Sequence, residues 1–375
     1  MNNAKTSTVF EKHAKKTLVA IVIVTFIGLD FITARMYKFI VGHSWYTERY
    51  EAHTITERVF RVSSPVYHHG LAKNISNYND AKWGYRTYQV STDSLGFKSQ
   101  SARDTAIRSD KHRVMFIGDS FTEGIGVEYS STFVGLVAKG LSKKSIEVLN
   151  AGVGGYSPII YWRKTKYLIE DIRLKFDELI VFIDISDAYD EAISYGLDED
   201  NNVTDRVRKE RIISKHSVKE NSIFFPWLIK GLRGLSPSYA INQKKSSWTR
   251  SSSSLLEYGN NGLRLMEKHM NKLYDLLEER NIKLTVAVYP WPDQIINNDL
   301  DCIQVSFWRD WSTKHNVKFL DYFPNFIKPN NTERDNKLIL DKYYIPGDIH
   351  WNEEGHSLVA DAFLSFYLNN SSPKK

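Results

Sequence analysis

From residue 113 to the C-terminus, short apolar runs alternate with segments of helical periodicity. The runs predicted to be strands lie at 113–117, 146–149, 178–185, 283–289 and 318–321. Helices are predicted over 132–141, 159–172 and 263–279, and a last helix over 353–368. Strands that alternate with helices are typical of a parallel sheet covered on both faces. The sequence therefore predicts an α/β fold with a doubly wound, five-stranded parallel sheet.

The first predicted strand runs directly into the sequence Gly-Asp-Ser at 118–120, after which a helix is predicted to begin. A serine at such a junction presents its hydroxyl at the carboxyl edge of the sheet, where ligands bind in folds of this kind. Its backbone N–H belongs to the first turn of the helix, where N–H groups have no intrahelical acceptor. Ser120 is therefore a candidate nucleophile and a candidate half of an oxyanion hole.

Three further polar stretches follow predicted strands or precede the last helix. They are Asn-Ala-Gly-Val-Gly-Gly-Tyr-Ser-Pro at 150–158, Ile-Asp-Ile-Ser-Asp at 183–187 and Gly-Asp-Ile-His-Trp-Asn at 347–352. The glycines of the first stretch allow a backbone N–H to approach a substrate oxygen closely. His350 is the candidate general base, because the pKa of histidine suits neutral pH. Asp348 can hold its imidazole in the working tautomer if the chain turns just before it.

These stretches, in this order, resemble the SGNH/GDSL hydrolase superfamily, in which a Gly-Asp-Ser block, a glycine block, an Asn-Asp block and a C-terminal Asp/His block build the site. The resemblance covers residues 113–365 and implies a flavodoxin-like SGNH fold. It implies that Ser120 is the nucleophile, His350 the general base and Asp348 its orienting residue. It further implies that the N–H groups of Ser120 and Gly155 bind the oxyanion. Ser186 stands where the superfamily places an asparagine that also donates to the oxyanion.

The sequence Asp-x-His-Trp-Asn at 348–352 resembles a branch of this superfamily tied to O-acetylation of extracellular polysaccharides, whose members are often membrane-anchored. The resemblance implies a serine esterase that acts on an acylated carbohydrate or a small ester through an acyl-serine intermediate. An O-acetyltransferase with the same triad is one alternative, because no residue decides whether water or a sugar hydroxyl resolves that intermediate. Ser186 keeps a second alternative open, a catalytically weak protein of the same fold that binds polysaccharide or acts as a scaffold.

The N-terminus predicts a membrane anchor. Residues 1–16 are polar and carry four lysines, and residues 18–34 form a nearly unbroken apolar run that contains Asp30. The run is at the short end for a membrane span, and no cleavage site follows it closely. Because lysines precede it, the N-terminus is predicted to stay cytoplasmic. We therefore expect a single-pass signal anchor at 17–40 in the inner (cytoplasmic) membrane, with the catalytic domain periplasmic or extracellular. A buried helix of a soluble domain is the alternative.

Domain boundaries follow from changes in pattern. Residues 43–112 contain short extended pieces and turn signals, which predict a leader packed on the main domain. The main domain is predicted over 113–368, with a polar and basic insertion at about 195–260. The apolar segment 223–229 of this insertion is a lid, an interfacial membrane contact or a helix on the edge of the sheet. The sequence Tyr-Pro-Trp-Pro at 289–292 lines the crevice or forms a rigid turn.

Composition narrows the class of partner. The net charge of +6 is spread over short clusters without a basic stripe between aromatics, which argues against nucleic acid. The single cysteine, Cys302, excludes an internal disulfide and a multi-cysteine metal site. His68 and His69 lack carboxylates or cysteines at ligand spacing. The histidines and glutamates at 350–356 do not match a His-Glu-x-x-His motif. We expect no metal and no cofactor.

Overall fold

The computed structural model describes residues 13–42, 44–45, 56–206, 221–224 and 243–371. The chain divides into two units. One combines Met1–Ile55 with Lys209–Ser236, and the other combines Thr56–Arg208 with Pro237–Lys375. The second unit carries every strand of the described residues and the candidate site.

The strands of the described residues are numbered in chain order. They are β1 (Arg61–Ser64), β2 (His68–Leu71), β3 (Tyr78–Trp83), β4 (Arg86–Val90), β5 (Arg113–Ile117), β6 (Glu147–Asn150), β7 (Glu178–Ile183), β8 (Tyr195–Leu197), β9 (Val203–Asp205), β10 (Lys283–Val288) and β11 (Lys318–Asp321).

The α-helices of the described residues are numbered in the same way. They are α1 (Ala14–Val41), α2 (Ser120–Glu123), α3 (Phe133–Ser142), α4 (Pro158–Glu170), α5 (Asp187–Tyr189), α6 (Gln243–Ser246), α7 (Ser252–Ser254), α8 (Asn260–Glu278), α9 (Pro292–Ile296), α10 (Ile303–Lys314), α11 (Phe323–Phe326), α12 (Glu333–Tyr343) and α13 (Glu353–Ser371).

The main sheet has five parallel strands in the order β11-β10-β7-β5-β6. The chain moves outward from β5 to β6, crosses back to β7 and then continues outward to β10 and β11. Strand order therefore reverses between β5 and β7, which is where a doubly wound sheet opens its ligand crevice. The predicted α/β class and the five-stranded sheet are confirmed.

The strands read as apolar runs because helices cover the sheet on both faces. Every residue of β5 and of β7 is buried, as expected for central parallel strands. Helix α3 packs with α13, and α4 packs with α8. Right-handed crossovers in opposite directions along the sheet place these two pairs on opposite faces. Strand β7 ends two residues before its predicted end at 185, because the Asp184 N–H turns away to the Asp187 carboxylate.

The leader forms two antiparallel hairpins, β1 with β2 and β3 with β4. Their buried side chains join the same hydrophobic core as the main sheet; these are Phe60, Leu71, Ala81, Tyr88, Val90 and Phe97. The buried Lys98 ammonium donates to the carbonyls of Gly124 and Val127, just beyond α2. The leader is therefore tied to the segment that carries the Gly-Asp-Ser sequence.

The other unit contains α1, a helix of 28 residues near the N-terminus that is long and apolar enough to cross a membrane. Its side chains are mostly exposed. Asp30 accepts hydrogen bonds from the hydroxyl of Ser222 and from the N–H groups of Ile223 and Phe224 within this unit. Of the predicted apolar segment 223–229, residues 225–229 lie outside the described residues.

Candidate active site

Ser120 is placed by a turn that only glycine can make. A Cβ on Gly118 would lie 2.2 Å from the Thr122 hydroxyl and 2.9 Å from the Phe182 carbonyl, so any side chain there would clash. Asp119 then caps α2, since its Oδ1 accepts the Phe121 N–H at 3.0 Å. As a result, Ser120 is the first residue of α2 at the carboxyl edge of the sheet.

The predicted serine, histidine and aspartate meet at this edge. His350 Nε2 lies 2.8 Å from Ser120 Oγ, and His350 Nδ1 lies 2.5 Å from Asp348 Oδ1. The turn that brings Asp348 and His350 together includes Gly347, whose φ of +74° favours glycine. The Asp348 carboxylate also accepts the His350 backbone N–H at 2.9 Å. The two-residue spacing therefore works because one carboxylate binds both the backbone and the ring of His350.

These contacts define the working tautomer. A carboxylate only accepts, so Nδ1 carries the proton and Nε2 is free to accept from the Ser120 hydroxyl. Burial of the ring lowers the pKa of His350, but the Asp348 carboxylate outweighs it, and the net pKa lies above the ordinary value. Burial raises the pKa of Asp348, but His350 lowers it further, and the net pKa lies below the ordinary value. The pair thus stabilises a proton on the imidazole, as a general base requires.

The loop after β6, which contains the predicted oxyanion donor Gly155, is tied to the strand that precedes Ser120. The Ala151 N–H donates to the Phe116 carbonyl at 2.8 Å and the Val153 N–H to the Gly118 carbonyl at 3.2 Å, so the loop is joined directly to the end of β5. Gly155 has a φ of +82°, in the region that glycine tolerates. Within the described part of the chain, the N–H groups of Ser120 and Gly155 have no hydrogen-bond acceptor. The described part of the structure therefore leaves unpaired the two N–H groups that the resemblance assigns to the oxyanion hole.

Ser186, the predicted third oxyanion donor, is held by a neighbouring carboxylate. Its N–H donates to Asp184 Oδ1 at 2.7 Å. The position of the superfamily's asparagine is therefore occupied by a shorter side chain whose backbone is fixed by Asp184.

A buried carboxyl pair lies behind the serine, and sequence reasoning missed it. The Tyr289 hydroxyl is 3.0 Å from Asp119 Oδ1 and 2.9 Å from Asp184 Oδ2, and Trp291 Nε1 donates to Asp184 at 2.6 Å. Burial, and then the charge of Asp184, raise the pKa of Asp119. The Ser120 hydroxyl is within donating distance of Asp119 Oδ2, at 3.1 Å, as well as of His350 Nε2.

Trp83 is a second residue that the sequence did not identify. Its Nε1–H donates to Asp348 Oδ2 at 3.0 Å, and its ring meets the His350 ring edge-on at 5.0 Å. The only sequence signal was a tryptophan among the loop aromatics of the leader. The leader therefore contributes a hydrogen bond to the oxygen of Asp348 that His350 does not use.

Other predicted or considered residues have structural partners. The ring of His356 accepts the Phe133 N–H at 3.2 Å, and burial lowers the pKa of His356 to about 3. Cys302 is a buried thiol. Among the described residues, no cluster of three or more His, Cys, Asp or Glu side chains is arranged to hold a metal ion.

No protein-family model and no curated protein matches this chain. Solved structures do match, at low identity. An acetylxylan esterase, AlAXEase, shares 16% identity at a TM-score of 0.40, over 68% of this chain and 98% of its own. A catalytic mutant of an acetylxylan esterase from Geobacillus stearothermophilus shares 14% at a TM-score of 0.37, over 69% and 95%. A GDSL-like lipase from Bacteroides thetaiotaomicron shares 12% at a TM-score of 0.37, over 71% and 93%.

All three TM-scores are 0.40 or lower, so these matches assign neither a family nor a residue role to this chain. The roles of individual residues depend on the geometry described above.

Proposed function

We propose that this chain is a serine esterase of the SGNH/GDSL type. The observation that carries the proposal is the continuous hydrogen-bonded series Ser120–His350–Asp348, with distances of 2.8 and 2.5 Å. A serine is activated as a nucleophile when a base lies within hydrogen-bond distance and a third group orients that base. Its position at the switch point of the sheet agrees with this function.

The reaction follows from the proton positions. Ser120 Oγ attacks the carbonyl carbon of an ester while His350 Nε2 takes its proton. The Ser120 and Gly155 N–H groups donate to the oxygen that becomes negative, which stabilises the tetrahedral intermediate. The intermediate collapses, His350 gives the proton to the leaving alcohol, and acyl-Ser120 remains. A water that loses a proton to His350 then releases the acid.

The substrate class and the location belong to the same proposal. The Asp-x-His-Trp-Asn sequence supports an O-acyl ester of an extracytoplasmic carbohydrate. Helix α1 supports attachment to the membrane, with the cytoplasmic side set by the lysines before it. The N-terminus would be cytoplasmic and the catalytic unit periplasmic or extracellular. An acetyltransferase would use the same acyl-serine, with a sugar hydroxyl in place of water.

The test uses the full-length protein in detergent with p-nitrophenyl acetate and a fluorophosphonate probe. The wild type should hydrolyse the ester and be labelled covalently. Ser120→Ala should abolish labelling, and Ser120→Ala and His350→Ala should each lower kcat by roughly 10⁴- to 10⁶-fold. Ser101→Ala, at an exposed serine of the leader, is the matched control and should behave like the wild type.

Failure of the wild type to turn over ester or to bind the probe between pH 5 and 9 would favour the polysaccharide-binding alternative. Addition of a sugar acceptor then separates the two enzymatic alternatives. Acylated sugar as the main product would identify a transferase, and free acetate would identify an esterase.

A further inference from the structure

The hairpin of β1 and β2 contacts the loop that carries the candidate oxyanion donor. His69 Nε2 lies 2.9 Å from the Gly154 carbonyl oxygen. In return, the Tyr156 hydroxyl donates to the His69 carbonyl at 2.6 Å. The loop and the hairpin are therefore joined on both sides of Gly155, although 85 residues separate His69 from Gly154 in the chain.

The Gly154 carbonyl belongs to the same peptide unit as the Gly155 N–H. A peptide unit is planar and trans, so its oxygen and its N–H point in opposite directions. A hydrogen bond that fixes the oxygen therefore fixes the direction of the N–H. This peptide joins two glycines, which have the widest backbone freedom of any residue pair. Without an external contact, its orientation would be poorly defined.

The Gly154 carbonyl determines which nitrogen of the His69 ring carries a proton. A carbonyl only accepts, so His69 Nε2 carries a proton. Burial of the ring lowers the pKa of His69 to about 4, with Arg61 and Lys164 adding positive charge nearby. The ring is thus neutral near pH 7, and its Nδ1 lies 2.7 Å from His68 Nδ1.

His68 completes the series. Its Nε2 lies 3.1 Å from Asp205 Oδ1, and a carboxylate also only accepts. His68 therefore donates from Nε2 to Asp205. The four groups form one series of polar contacts, from Asp205 through His68 and His69 to the Gly154 carbonyl. A carbonyl that accepts a strong hydrogen bond makes the N–H of its own peptide a better donor.

His68 has a left-handed backbone conformation. Its φ is +75°, which only a few per cent of non-glycine residues adopt, histidine more often than most. Residues that keep such conformations concentrate at functional sites, where the surrounding structure holds them. Here the strained residue is the one that presents its ring to His69.

The remaining polar groups around the peptide are also bonded. The Gly154 N–H donates to Glu123 Oε2 at 2.7 Å, and Arg61 binds the same carboxylate at 3.0 Å. The Tyr195 hydroxyl donates to the Gly155 carbonyl at 2.8 Å. Hydrogen bonds thus fix the Gly154 N–H and the Gly155 carbonyl, the groups on either side of this peptide. Among the described residues, His69 alone contacts the oxygen of the peptide itself.

We propose that His69, supported by His68 and Asp205, is a positioning residue that orients and polarises the Gly154–Gly155 peptide for oxyanion binding. This inference rests on the proposed esterase function. His69 does not touch the reacting atoms and acts only through the Gly155 N–H.

The test compares His69→Leu with His69→Gln in the full-length protein, with p-nitrophenyl acetate as substrate. Leucine removes the donor, whereas the amide nitrogen of glutamine reaches the place of Nε2. Complete loss of an oxyanion donor lowers kcat by about 10²- to 10³-fold, so loss of its orientation should lower kcat roughly 10- to 100-fold with little change in KM. His69→Gln should recover most of this loss. His315→Leu is the matched control, because His315 Nδ1 contacts the Trp311 carbonyl at 2.8 Å near the opposite edge of the sheet.

Asp205→Asn tests the series at a residue whose side chain is 59% exposed and whose replacement does not threaten folding. It should lower kcat by about two- to tenfold, because the His68 ring that contacts His69 then has only a neutral, weaker acceptor to orient it. Unchanged kcat in both His69→Leu and Asp205→Asn would overturn the inference, as would an equal loss in His69→Leu and His69→Gln. A wild type that neither hydrolyses the ester nor binds the fluorophosphonate would instead refute the proposed function.

Discussion

Replacement of Trp83 by phenylalanine tests whether the leader takes part in catalysis. The change keeps an aromatic ring beside His350 and removes the second ring of the indole with the Nε1–H that donates to Asp348 Oδ2 at 3.0 Å. We expect kcat to fall while the fold and KM remain close to the wild type. Asp348 keeps its two bonds to His350, so the triad is weakened but not broken.

The structure sets the size of this effect. A hydrogen bond to a charged group contributes about 1.5–3 kcal/mol, which corresponds to roughly 10- to 150-fold if all of it is expressed in kcat. The Asp348 side chain is 27% exposed, so water can replace part of the lost donor. We therefore expect a loss near the lower end, about tenfold.

The pH profile gives the more specific readout. The Trp83 N–H is among the groups that lower the pKa of Asp348, because it stabilises the carboxylate. Without it, the negative charge of Asp348 is less neutralised and raises the pKa of His350 further above its ordinary value. His350 must be neutral to act as a base. The acidic limb of kcat/KM should therefore move to higher pH in Trp83→Phe.

Steady-state hydrolysis of p-nitrophenyl acetate from pH 5 to 9 measures both effects. Tyr85→Phe is the matched control from the same hairpin, since the exposed Tyr85 hydroxyl donates to the Pro346 carbonyl and not to the triad. Wild-type kcat and an unmoved limb in Trp83→Phe would refute the idea that the leader tunes Asp348.

Two other predictions concern the buried carboxyl at 187 and the membrane anchor. Asp187 Oδ1 is buried without a partner in the described residues, and burial followed by the charges of Asp184 and Asp119 raises the pKa of Asp187 well above its ordinary value. Stability should therefore fall as pH rises above about 4, where only the unfolded chain has lost this proton. Asp187→Asn stays neutral, so its Tm should exceed that of the wild type by about 2 °C or more at pH 8 and by less at pH 5; a constant difference would contradict this. For the anchor, alkaline phosphatase fused after residue 375 should be active outside the cytoplasm, and activity confined to the cytoplasm would contradict the predicted orientation.

The sheet was predictable because burial on both faces leaves a strong pattern in the sequence. All residues of β5 and β7 are buried, and both strands read as continuous apolar runs. Helix starts were predictable where a local cap exists. Asn352, for example, accepts the N–H groups of Glu354 and Gly355 at 3.0 Å at the start of α13. Apolar runs and helix caps involve residues that are close in the chain, so they can be recognised in one sequence.

The residues that orient the site were not predictable in this way. Trp83 and Asp348 are 265 residues apart, and Tyr289 is 170 residues from Asp119. Contacts of this kind depend on which elements the fold brings together, and they follow no period that a sequence displays. Ser186 shows a related limit. Its identity was visible in the sequence, but the hydrogen bond from its N–H to Asp184 became visible only in the structure.

The candidate site therefore draws its proposed reacting groups and the residues proposed to orient them from different parts of the chain. The proposed reacting groups, Ser120 and His350, lie at strand and helix ends of the doubly wound sheet, where local sequence can specify them. The leader contacts neighbours of these groups, through Trp83 to Asp348 and through His69 to Gly154. Small errors in the position of a catalytic group lower rates steeply, so such contacts bear on rate as well as on stability. If they act as proposed, substitutions in the leader hairpins will lower kcat more than they lower Tm, and the catalytic unit begins with the leader rather than with β5.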